Sequence, residues 1–164
     1  MDLHGWVVLV HIVAAFVFVL AHGVSMVVMF RIRGETDPAR IGAQLDVSLS
    51  SLYLAFVALL LMLVSGIVAG FTGGLWERGW IWASLGLLVA LTVYMGWRAA
   101  GYFDAVRHAI GTRGMHDRKG VEAPAAATSD ELAGLLASSR PMEIAAVGGI
   151  GLLLIIYLMR AQPF

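Results

Sequence analysis

The sequence contains no cysteine, which excludes disulfides, thiolate metal ligands and iron–sulfur clusters. Charge is scarce as well. Only 13% of the 164 residues are Asp, Glu, Lys or Arg, about half the share that a soluble domain uses to cover its surface. Lysine occurs once, as Lys119. The long apolar runs carry no Asp, Glu or Lys, the groups that proton pumping and ion-coupled transport normally need inside a membrane. Neither activity is expected, and no membrane-embedded acid, base or nucleophile argues for an enzyme. A glycine-rich nucleotide-binding pattern and an internal repeat are also missing, and nucleic acid is not an expected partner.

What is present is apolar. Hydrophobic residues make up 60% of the chain, and about 20 helical residues suffice to cross a hydrocarbon core. Four uncharged runs qualify or nearly qualify: Gly5–Phe30, Val47–Trp76, Gly79–Trp97 and Ile144–Met159, the last extended by Pro141 and Met142. The expected fold is all-α: a polytopic membrane four-helix bundle formed by one transmembrane domain over residues 1–164. Its spans cover about 5–30, 47–72, 79–100 and 141–160, with inner loops at about 31–46 and 101–140. The first run is not read as a cleaved signal peptide, because Asp2 precedes it and Arg31 and Arg33 follow it.

The cations orient the bundle. Arg31, Arg33 and Arg40 lie between spans 1 and 2, and Arg98, Arg107, Arg113, Arg118, Lys119 and Arg140 between spans 3 and 4; only Arg78 and Arg160 lie on the other side. The positive-inside bias places both termini on the non-cytoplasmic side. Trp6, Trp76, Trp80 and Trp82 then form an aromatic belt at the outer boundary. Asp37-Pro38 reads as a cap and first helical residue, so span 2 is expected to begin early as an inner extension. Thr128-Ser-Asp-Glu131 reads as a capping box. Gly148, Gly149 and Gly151 are small residues that allow a neighbouring helix to approach span 4 closely.

The residues that could carry chemistry are few. His11 and His22 flank an uncharged stretch of span 1. At about 100° per residue their net rotation is about 20°, so both lie on one helical face, about 16 Å apart along the axis. An imidazole in hydrocarbon needs a partner. Each is therefore expected to face the bundle, either as a ligand for haem or another metal or hydrogen-bonded to a neighbouring helix. Spans 2, 3 and 4 contain no histidine. A haem would thus be five-coordinate, methionine-ligated or shared across a dimer; pairing of His22 with His108 is a further option, although Val-Arg-His-Ala reads as a juxtamembrane helix. His22, Met26 and Met29, at i, i+4 and i+7, form a second metal candidate whose soft thioethers suit Cu(I); methionine is also an ordinary packing residue. Ser25 could bond across to span 2, whose Ser48, Ser51 and Ser65 could satisfy buried imidazoles. Arg140 and Glu143 read as a charge pair at the inner mouth of span 4.

Several short motifs carry a resemblance. They are Trp6-Val-Val-Leu-Val-His11, Arg31-Ile-Arg33, Asp37-Pro-Ala-Arg40, Leu63-Val-Ser-Gly-Ile67, Arg140-Pro-Met-Glu143 and the terminal Met159-Arg-Ala-Gln-Pro163. Together they resemble the bacterial four-helix family of predicted integral membrane proteins of unknown function. That family is similar in architecture to the copper-resistance D-type proteins and the HemJ-type protoporphyrinogen oxidases. The resemblance implies a four-helix bundle with His11 as a haem ligand. HemJ-type enzymes pair that histidine with a lysine in a later span, whereas Lys119 lies in a loop, so their reaction does not carry over. The expectation is a protein of the bacterial cytoplasmic (inner) membrane that binds haem b through His11 and His22, for electron transfer, haem handling or a redox complex. A cofactor-free accessory subunit and a copper-handling protein using His22, Met26 and Met29 are the alternatives. Expected partners are the lipid bilayer and other membrane subunits or a second copy.

Overall fold

The computed structural model describes residues 2–164. Among them there is no strand; the chain forms α1 (Leu3–Arg31), a 3-10 turn (Ile32–Gly34), α2 (Pro38–Thr72), α3 (Gly79–Ala109), α4 (Ser129–Leu136) and α5 (Arg140–Ala161). The local signals act as their chemistry predicts. Asp2 caps α1 through the Gly5 amide at 2.9 Å. Asp37 accepts from the Ala39 amide at 2.9 Å, with Pro38 opening α2. Thr128 and Glu131 close a reciprocal capping box on α4. Four helices, α1, α2, α3 and α5, are long and apolar enough to cross a membrane. Their outward faces expose Phe16, Phe56, Val93 and Leu153 to 60% or more, a surface that suits lipid and not water.

The helices associate as two antiparallel hairpins: α1 packs mainly on α2, and α3 on α5. The α1–α2 seam is built from small residues. Ala14, Ala21, Ser25 and Val28 of α1 are buried, as are Ser48, Ala55, Ala58 and Ser65 of α2. Lipid is as apolar as leucine, so close packing and interhelical hydrogen bonds have to hold such a seam. Ser48 donates to Ser25 at 2.9 Å across it. On α5, Gly148 and Gly151 sit against Met95 and Leu91 of α3, whereas nothing lies within 4 Å of where a Gly149 side chain would begin.

The hairpins join mainly at the arginine-rich end. Val28, Met29 and Ile32 meet Ile41 and Leu45, then Tyr102, Phe103 and Val106, with Leu132, Leu136 and Ile144 completing the core. This core explains why α3 continues to Ala109, beyond the apolar run that ends at Trp97. Tyr102, Phe103 and Val106 form a buried apolar stripe on an extension of small and charged residues. Arg107 secures it with a 2.7 Å bond to Asp46 of α2. At the opposite end the Trp80 amide donates to the Phe164 carbonyl at 3.2 Å, and the Trp76 ring fills the space left by Gly70.

Candidate functional site

α1 presents its histidines along one flank. His4, Val8, Ala15 and His22 are half-buried there, whereas Trp6, Val10 and Val13 on the other flank are exposed. His11 lies at the edge of the seam with α2. Its Nδ1 is 2.8 Å from the Met62 carbonyl oxygen and 3.4 Å from the Ser65 hydroxyl. A carbonyl can only accept, so Nδ1 carries a proton, and in the neutral tautomer Nε2 keeps its lone pair. Gly66 makes this contact possible: a Cβ there would lie 2.9 Å from His11 Cε1 and 3.1 Å from Nδ1. One heptad earlier, His4 Nδ1 is hydrogen-bonded to Thr72 Oγ1 at 2.9 Å, and that hydroxyl lies 3.0 Å from the Val68 carbonyl oxygen. His4 and His11 therefore form two rungs against Thr72 and Ser65, each pair seven residues apart on antiparallel helices. The sequence reading missed the His4 rung, although the matching spacings were there to be read.

His22 differs. Its ring stacks on Phe18 one turn away, with centroids 5.5 Å apart and planes 16° apart. No hydrogen bond to it is formed among the described residues. Met29 is buried in the arginine-end core, and Met26 is 44% exposed. Ser48 and Ser51, considered as partners for imidazoles, bond elsewhere: Ser48 to Ser25 and Ser51 to the Ser48 carbonyl at 2.8 Å. Among the described residues, no three His, Asp or Glu side chains converge as a metal-holding group.

The other polar clusters lie where the sequence suggests only interface anchors. Glu143 pairs with Arg98 at 2.8 Å and accepts from the Tyr94 hydroxyl at 2.8 Å, in place of the expected pairing with Arg140. The signal was the i, i+4 spacing of Tyr94 and Arg98 on α3. Past the end of α3, two crossed pairs fold the loop back. Asp104 and His108 on the helix meet His116 at 2.6 Å and Asp117 at 2.9 Å. His108 is thereby engaged in the loop and not with His22. The His108 bond, together with the Gly114 amide, holds the Asp117 carboxyl below the usual carboxylate range. Gly114 stands between the pairs, where a Cβ would lie 2.9 Å from Asp104 Oδ1 and 3.0 Å from His108 Nε2.

No protein-family model matches the chain, and neither a curated protein nor a solved structure matches it.

Proposed function

We propose that this multi-pass membrane protein resides in the bacterial cytoplasmic membrane and binds haem b through α1, serving electron transfer, haem handling or a membrane redox complex. The observation that carries the reading is the His11 hydrogen bond. Metal-ligating histidines characteristically donate their second ring nitrogen to a carbonyl or carboxylate, which fixes the tautomer and raises the basicity of the ligating atom. His11 has that arrangement, with Nδ1 on the Met62 carbonyl and Nε2 as the available donor. His11 would hold the iron, and His22 is a second position on the same flank. A bound haem supplies one-electron chemistry, and the apolar surroundings of α1 would exclude water from it. With no histidine in the other three spans, any ligand beyond α1 would come from a methionine or from a second copy of the chain.

The same bond favours a second reading. A histidine satisfied by a neighbouring backbone carbonyl is a complete packing contact, as in an accessory membrane subunit without cofactor. The absorption spectrum of detergent-purified protein from haem-replete cells separates the two. Haem binding predicts a Soret band that disappears in His11→Ala and persists in His4→Ala. A colourless wild-type preparation would leave the accessory reading. Stoichiometric copper that is lost in His22→Ala would move the site to His22, Met26 and Met29.

A further inference from the structure

The α1–α2 hairpin has a second feature, on the side of α1 turned away from His22 by helical periodicity. A groove of about 440 Å³ runs along the seam, lined by Leu20, Gly23, Val24, Val27, Arg31 and Gln44 among others. Its volume falls in the range of small-ligand sites, and its walls are almost entirely aliphatic. Gly23 keeps it open, since nothing lies within 4 Å of where a Cβ would stand. The polar groups are confined to one end. Arg31, in the last turn of α1, has no carboxylate partner among the described residues. The Gln44 side-chain oxygen is buried and accepts no hydrogen bond there.

From Arg31 to Leu20 the groove extends about 16 Å along the helix, close to half of a hydrocarbon core about 30 Å thick. It therefore has the length of one leaflet, an apolar wall for a chain, and a free cation at headgroup depth. We infer that this groove binds one anionic glycerophospholipid, its phosphate on Arg31 and an acyl chain over Gly23. A phosphocholine headgroup adds a cation beside Arg31. The inference does not depend on a haem.

Native mass spectrometry of the full chain, exchanged from detergent against equal amounts of phosphatidylglycerol and phosphatidylcholine, tests it. Phosphatidylglycerol is expected to be retained about five-fold over phosphatidylcholine, the factor that one arginine gains from a lipid of net negative charge. Arg31→Gln should abolish that preference, Arg31→Lys should restore part of it, and Arg113→Gln, in the distal loop, should leave it intact. Gly23→Leu, with the helix content checked by circular dichroism, should reduce retention of both lipids. Equal retention of the two lipids by the wild type would overturn the inference. So would a preference that survives Arg31→Gln, because the charge effect would then belong to the arginine-rich surface as a whole.

Discussion

The His11 imidazole donates from Nδ1 to the Met62 carbonyl at 2.8 Å, a side-chain-to-backbone bond between two antiparallel membrane helices. Such a bond needs the donor helix to come close to the backbone of its neighbour. Gly66, one turn beyond Met62, leaves the room.

The first prediction concerns that room. In Gly66→Ala the new Cβ would stand 2.9 Å from His11 Cε1 and 3.1 Å from Nδ1, so the ring has to shift away from the Met62 carbonyl it bonds. The expected cost is about 1–3 kcal/mol, as for other overpacked sites. Gly86→Ala in α3 is the control, since that position faces open space. It should be neutral or stabilising by about 0.5–1 kcal/mol, because alanine replaces glycine in a helix interior. Thermal unfolding in detergent reads both, and equal midpoints for the two variants would contradict the packing argument.

A second prediction addresses the serine pair. Ser25 and Ser48 are 5% and 2% exposed and bonded at 2.9 Å. A double-mutant cycle with Ser25→Ala and Ser48→Ala should return a coupling of about 0.6 kcal/mol, typical of hydrogen bonds between membrane helices. Strict additivity of the two single effects would mean that the bond contributes nothing to the seam.

Substituting the span 4 glycines should separate them. Gly151→Val drives a Cβ to 2.5 Å from both Leu91 methyl carbons and 3.0 Å from the Leu91 branch carbon. The α3–α5 hairpin is expected to lose about 1–3 kcal/mol. Gly149→Val projects into open space and should retain the wild-type unfolding midpoint. The reverse order would put the α3 contact on the wrong face of α5.

The loop after α3 supplies a pH prediction. Asp117 is held in its charged form by His108 at 2.9 Å and by the Gly114 amide at 2.7 Å, so its folded carboxyl titrates lower than its unfolded one. Its contribution is therefore complete above the ordinary aspartate value of about 3.9 and is lost as pH falls through the lower folded value. Nuclear magnetic resonance of the Gly114 amide should show a titration midpoint under about 3.9. Asp117→Asn should remove that titration. A wild-type midpoint at or above the ordinary value would show that the loop clasp is not formed.

Much of the fold could be read from single residues and short runs. Asp37-Pro38 and Thr128–Glu131 fix helix starts through contacts made within three residues, so no distant partner is needed to find them. The continuation of α3 to Ala109 was harder to read. It also carries Arg98, Arg107 and His108, and burial of Tyr102, Phe103 and Val106 against α1, α2 and α4 turns that mixed stretch into helix. The candidate site divides in the same way. The shared flank of His11 and His22 follows from helical rotation. That His11 meets Met62 while His22 stacks on Phe18 depends on how far α1 is turned against α2.

The sequence alone determined the four membrane-crossing helices, their antiparallel connections and the caps between them, because chain polarity and hydrocarbon thickness act on each segment separately. Only the tertiary structure decided which surfaces those helices share. Lipid does not drive apolar helices together, so hydropathy cannot choose between Gly148 or Gly151 and Gly149, between Arg98 and Arg140 as the partner of Glu143, or between two hairpins and an even bundle. Those choices rest on close approach at small residues and on hydrogen bonds whose partners lie tens of residues apart in the chain.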